Sequence, residues 1–143
     1  MSDEDDITFA SAVAAFESKQ FARAMQLFSP FAERGDPEAQ HRVAIMWQNG
    51  LGVVRSDELA EKFMRAAAEQ GFGMAQHGLG FMYLEGECIG KDPKQAANWF
   101  RKAAEQGFAG SQTTLARMYE EGNGVEKDPE EAKKWYRMAG FEM

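Results

Sequence analysis

The chain has 143 residues, 44% of them apolar and 27% charged, with a formal charge of −7, so there is material for a core along its whole length. Its cations are interleaved with carboxylates and form no Lys/Arg stripe, which speaks against a nucleic-acid partner. Its apolar runs fall far below the roughly 20 residues of a membrane-spanning helix, and the lone Cys88 allows neither an intrachain disulfide nor a thiol-rich metal site.

The N-terminus, Ser2-Asp3-Glu4-Asp5-Asp6, is acidic where a signal peptide is basic and then apolar, so the chain reads as cytoplasmic, although a mature secreted chain would have lost its signal. Regular structure is expected from Ile7 onward. The first pair of helices, about Ile7–Arg34, is divergent: Ala24, Leu27, Phe28 and Ala32-Glu33-Arg34-Gly35 fit the second helix of the later units, but only Lys19-Gln20 separates it from the helix before.

From Gly35 the sequence repeats. Compared with itself at a shift of 36 residues, it is identical at 20 of the 42 pairs between Phe63–Ala104 and Trp99–Gly140. Gly35, Gly71 and Gly107 fall in register, as do Gly50, Gly86 and Gly122, and Phe63, Trp99 and Trp135. Units of about Gly35–Gln70, Gly71–Gln106 and Gly107–Met143 follow, making one repeat domain over 1–143. Within a unit the apolar positions recur three and four apart (Ala75, Leu79, Met82 and Tyr83, then Ala96, Trp99, Phe100 and Ala103), which is the stripe of a helix.

The punctuation gives two helices per unit. Glu85-Gly86 and Glu121-Gly122 close the first helix, A; a glycine-containing loop follows; Asp92-Pro93 and Asp128-Pro129 open the second, B, with a capping carboxylate and a proline at the first helical position. Gln70-Gly71 and Gln106-Gly107 close helix B with a glycine suited to left-handed backbone. Leu51, Val54, Ser56 and Asp57 alter the loop of the second unit, and Cys88 stands where Gly52 and Gly124 do, which leaves those loop conformations open. Alanines at fixed places, with large aromatics beside them, suit a closely packed all-α stack of four hairpins.

The runs Ala67-Ala68-Glu69-Gln70-Gly71 and Ala103-Ala104-Glu105-Gln106-Gly107, with Met118-Tyr119-Glu120-Glu121-Gly122-Asn123-Gly124-Val125 and Ala132-Lys133-Lys134-Trp135-Tyr136, resemble Sel-1-like repeats, cousins of the tetratricopeptide repeats. The resemblance spans about Gly35 to Gly140, and the first hairpin is closer to a plain tetratricopeptide unit. It implies an all-α, right-handed α-α superhelix whose A helices line a concave face that binds partner proteins or extended peptides. Some cysteine-rich secreted members of the family bind or hydrolyse cell-wall-related compounds, but those carry paired cysteines in each repeat, and this chain has one in total.

Helix phase then assigns the groove-facing residues. In the second unit these are Glu38, His41, Ile45, Gln48 and Asn49; in the third Met74, His77, Phe81, Leu84 and Glu85; in the fourth Gly110, Thr113, Arg117, Glu120 and Glu121; in the first hairpin Phe9, Val13, Phe16 and Glu17. Phe9, Val13, Phe16, Ile45, Phe81 and Leu84 are expected to form an exposed apolar patch that takes a partner helix or peptide, unless the stack curls enough for them to pack on one another. Met74 is the methionine expected to make contact, while Met46, Met82 and Met118 are expected in the core.

His41 and His77 lie one repeat apart, but only Glu38 and Glu85 offer carboxylates within reach, so hydrogen bonding to a bound chain is the expected role, with no metal and no catalysis. The glycine loops follow helices and lack a Gly-Lys-Ser/Thr continuation, so they are turns and no cofactor is expected. The expected function is a protein-interaction scaffold; self-association through an apolar N-terminal or C-terminal hairpin is the alternative, and a hydrolase comes last.

Overall fold

The computed structural model describes residues 2–142, and within them the regular elements are all α-helices: α1 (Asp3–Glu17), α2 (Phe21–Glu33), α3 (Pro37–Asn49), α4 (Asp57–Glu69), α5 (Gly73–Glu85), α6 (Pro93–Glu105), α7 (Ala109–Glu121) and α8 (Pro129–Met138). Consecutive helices pair as four hairpins, α1 with α2 through α7 with α8. These form two compact units, one ending at Gln70 and the other beginning at Gly71. In the first unit α3 packs on α2; in the second α7 packs on α6. The all-α hairpin architecture is the one expected.

A side-chain cap starts α1, α3, α4, α6 and α8. Asp36, Ser56, Asp92 and Asp128 cap α3, α4, α6 and α8, each accepting a backbone N–H of the first turn, and Pro37, Pro93 and Pro129 follow the three aspartates. The first helix corrects one expectation: it begins at Asp3 and not near Ile7. Ser2 Oγ accepts the Asp5 N–H at 3.1 Å, and Asp3, Glu4, Asp5 and Asp6 place four carboxylates on the positive end of the helix dipole. An acidic run that reads as a loose end is, at this position, a helix start. Met1 and Met143, the ends of the repeat domain expected above, lie outside the described residues.

The three glycine loops share one conformation despite their different residues. Gly50, Gly86 and Gly122 have φ of 65°, 71° and 67°, and positions 52, 88 and 124 have φ of 72°, 70° and 76°. In each loop a backbone N–H returns to helix A: Ser56 to Trp47 O at 3.0 Å, Asp92 to Tyr83 O at 2.8 Å and Asp128 to Tyr119 O at 2.9 Å. Within their units, Gly52 lies on the start of α2 and Gly124 on the start of α6, so close that a Cβ would stand 2.5 Å from Phe21 C and 2.3 Å from Pro93 O. Cys88 adopts the same left-handed backbone with a Cβ, a conformation that costs an L-residue roughly 1–2 kcal/mol.

Packing follows the alanine columns. Ala39 and Ala75, Ala60, Ala96 and Ala132, and Ala67 and Ala103 are all buried, as are Met46, Met82 and Met118. Phe63 and Trp135 fill the same place in their hairpins, but the buried Nε1–H of Trp135 meets no acceptor among the described residues, a polar group that the phenyl ring of Phe63 does not have to bury.

Amides tie the two helices of a hairpin to each other and, within each unit, one hairpin to the next. Gln70, the C-cap of α4, donates from Nε2 to Gly35 O at 2.9 Å and to Gln40 Oε1 at 2.8 Å, and Gln40 in turn donates to Ala32 O on α2 at 3.3 Å. In the second unit Gln106 donates to Gly71 O at 2.9 Å and Gln76 Oε1 at 2.8 Å, while Gln112 donates to Ala104 O at 3.0 Å. Ala139 is the C-cap of α8, which has 10 residues where α6 has 13.

Two outcomes are expected in urea denaturation followed by circular dichroism. Gln106→Ala removes both donors from the Gly71 and Gln76 oxygens and lowers the unfolding free energy by about 1–2 kcal/mol. Cys88→Gly relieves the left-handed backbone and raises it by about 1 kcal/mol.

Candidate functional site

The A helices carry the expected binding residues, and the structure sorts them into those that hold the fold and those that face solvent. Phe9 sets its ring edge-on to Phe28 and Phe31 of α2 at 5.5 and 5.2 Å, and Phe16 does the same with Phe21 and Phe28 at 5.6 and 6.5 Å. The Arg42 guanidinium, bound to Glu38, lies 5.1 Å from the Phe16 ring centre and 5.7 Å from that of Phe28, so α3 covers these rings with a cation. Phe81 packs at 4.9 Å on Phe100 of α6, and Leu84 rests on the same core.

This corrects the expectation of an exposed apolar patch. Phe9, Val13, Phe16, Ile45, Phe81 and Leu84 are each half-buried, and the aromatic three turn toward helix B of their own hairpins. A helical stripe wider than two residues per turn has flanks that pack sideways, and a phase count alone places those flanks on the open face. The large apolar side chains that are exposed are Ile7, Val54, Met74, Met138 and Phe141. Of the expected contact residues only Met74, at 52%, belongs to that group.

The polar candidates divide in the same way. His41 is buried, and that burial, with the Arg42 charge as a second cause, pushes its pKa down to about 4, so it stands neutral at pH 7. His77 is also pushed down by burial; its ring meets Phe81 and Phe100 edge-on at 4.9 and 5.7 Å, and its Nδ1 lies 2.6 Å from Ser111 Oγ on α7. Neither histidine is placed as a free donor to a bound chain. Gln48 is half-buried; Arg117 and Glu120 are exposed. Glu120 Oε1 accepts the Tyr136 hydroxyl at 2.6 Å, an acceptor that raises the tyrosine pKa.

The His77–Ser111 contact has the atoms of a base and a nucleophile, but Ser111 is 0% exposed, so no substrate carbon reaches its oxygen. The pair ties α5 to the first turn of α7. No group of three or more His, Cys, Asp or Glu side chains is arranged to hold a metal ion among the described residues, and no described helix is long and apolar enough to cross a membrane.

Sequence reasoning missed the amide clamps and Ser111. The clamps had a visible signal: Gln40, Gln76 and Gln112 recur at the repeat interval, as do Gln70 and Gln106, and all three of the first set are buried. Ser111 had none, because no other unit has a serine there.

Four helical hairpins with capped helices, left-handed glycine turns and amide ties between neighbours define an α-solenoid repeat protein. The Sel1 repeat model matches residues 37–72, 73–108 and 109–140, and the chain belongs to the Sel1 repeat family. Among solved structures it is similar to a Sel1 repeat protein from Oxalobacter formigenes, at 35% identity and a TM-score of 0.87 over 91% of this chain and 54% of that one. It is also similar to c5321, a protective antigen of uropathogenic Escherichia coli strains with an SLR fold, at 36% identity and a TM-score of 0.79 over 80% of this chain and 25% of that one. Helicobacter pylori cysteine rich protein B shares the fold, with 20% identity and a TM-score of 0.61 over 94% of this chain and 92% of that one. The chain thus spans about half of the Oxalobacter protein and a quarter of c5321. A comparison with curated proteins finds no match.

The buried histidine makes stability depend on pH. His41 has a folded pKa near 4 against an unfolded value of 6.5, so as pH falls the unfolded chain takes up a proton that the fold refuses. Stability is lost between about pH 6.5 and pH 4, by about 3 kcal/mol from this residue. Urea unfolding at pH 7, 5.5 and 4 is expected to show that loss, and His41→Gln to lack this part of it.

Proposed function

We propose that the chain is a protein-interaction scaffold that holds a segment of a partner protein on the exposed side of its A helices. Sel1 repeats generally mediate protein–protein interactions, which supports the general reading. The observation that carries the particular one is Met74: a large apolar side chain, 52% exposed, that no packing role within its hairpin calls for. It sits on the helix that also carries the half-buried Phe81 and Leu84, and α7 adds the exposed Arg117, which makes no ion pair among the described residues. A flexible thioether is suited to a partner's apolar side chain, and a guanidinium to its carboxylates or carbonyls.

The groove contacts expected of Phe9, Val13, Phe16, Ile45 and Phe81 reduce in this reading to their exposed edges, since their rings and branches are committed to packing. Self-association remains a second reading, favoured by the exposed Met138 and Phe141 at the end of the fourth hairpin.

The test uses a Met74→Glu/Arg117→Glu variant, both positions being exposed. The unchanged chain is expected to retain a partner from source-cell lysate that the variant loses, with the thermal midpoint of the variant within a few degrees of the parent. Equal retention by both rejects this face. A mass that rises with concentration, and falls back in a Met138→Ser/Phe141→Ser variant, selects self-association.

A further inference from the structure

Beyond the A-helix face, we propose that the second unit has a separate binding surface, a groove between its two B helices that takes an acidic peptide segment. The groove, about 790 Å³, runs between α6 and α8 and is closed at one end by the loop that joins α7 to α8. Lys94 and Arg101 enter it from α6, Lys127 from the loop and Lys134 from α8.

In a chain of net charge −7 these four cations converge on one place, and none of them is held in an ion pair among the described residues. Four arginines elsewhere are paired with carboxylates: Arg34 with Asp5, Arg42 with Glu38, Arg55 with Asp57 and Arg65 with Glu61. Here Arg101 donates only to the Tyr119 hydroxyl, and the Lys134 ammonium lies 5.2 Å above the Trp135 ring. The carboxylates that share the lining, Glu126, Asp128 and Glu131, leave the groove one positive charge in excess, and none of them is in direct ion-pair contact with the four cations among the described residues. Asp128 is committed to capping α8, where its Oδ1 accepts the Glu130 and Glu131 N–H groups at 3.1 and 3.2 Å, and Glu126 and Glu131 form no ion pair with the four.

The repeat itself does not require this lining. At the same positions of the first unit, between α2 and α4, Ser29 stands for Arg101, Ala22 for Lys94, Trp47 for Tyr119 and Leu59 for Glu131, while Arg55 and Lys62 keep the charges of Lys127 and Lys134; the cavity there, about 190 Å³, is lined also by Val43 and Phe63. Lys94 and Arg101 are therefore particular to this groove, while the cations at 127 and 134 have counterparts in Arg55 and Lys62. Four unpaired cations on three elements match successive carboxylates of an extended segment, with Arg101, oriented by Tyr119, placed to take one of them on two N–H groups.

The probe is a fluorescein-labelled peptide of six glutamates alternating with glycines, titrated with the full chain and read by fluorescence anisotropy at 50 mM salt. Binding is expected despite the like overall charge, and to weaken about tenfold or more in Arg101→Gln/Lys134→Gln and in Lys94→Gln/Lys127→Gln, the second pair being exposed side chains with no ion pair among the described residues. A control, Lys133→Gln/Arg137→Gln, alters exposed cations of α8 outside the groove and is expected to stay within twofold. No anisotropy change up to millimolar protein overturns the proposal, and so does an equal loss in the control, which would mean attraction without a site. Because the Met74→Glu/Arg117→Glu variant leaves these residues intact, it is expected to bind the peptide as the parent does, so the two surfaces stand or fall separately.

Discussion

Each hairpin is two helices of 10 to 15 residues, too short to be stable alone in water, and each has apolar material on more faces than its own partner helix can cover. The rest of the structure depends on that deficit. Within each unit a hairpin lays its B helix against the next A helix, α2 on α3 and α6 on α7, and the approach is close because alanines line both surfaces. Once helices lie so near, their polar termini are drawn into the contact and must be satisfied there. The amides of Gln40 and Gln112 do this by reaching across to carbonyls at the end of the preceding B helix.

The same deficit governs which parts were legible in the sequence. Helix B boundaries were readable because Asp-Pro and Gln-Gly act on the backbone locally, and the core methionines because they repeat in one phase. The first helix was misjudged for the opposite reason: the same carboxylates that suit a disordered end also suit a helix N-terminus, and what decides between them is Ser2 and the packing of α1 on α2. The flanks of the A helices were misread because Phe9, Phe16 and Phe81 depend on rings of another helix, Phe28, Phe31 and Phe100, whose positions no spacing rule contains.

The candidate surfaces follow from what packing leaves over. Aromatic side chains on the A helices are drawn inward, so the open part of that face is the polar and thioether remainder, Met74, Arg117 and their neighbours. The groove between B helices is under weaker constraint, since helices two apart in the chain meet there only through side-chain tips. That is where the two units differ most, one lined by Trp47 and Leu59 and the other by Arg101 and Glu131.

Helix α8 ends on Ala139, where α4 and α6 end on glutamine. The carbonyl of Gly107 and the amide oxygen of Gln112 stand where their counterparts receive Gln106, so α8 lacks the tie to helix A of its own hairpin that Gln106 gives α6, while Gln112 still joins the fourth hairpin to the third. In terms of native-state opening, the last turn of α8 is expected to exchange its amides earlier than that of α6, while Ala132 and Trp135 keep the body of the helix in the core. Lys134, one wall of the cationic groove, stands beside Trp135, so that wall is carried by the packed part of the helix and not by its loose end.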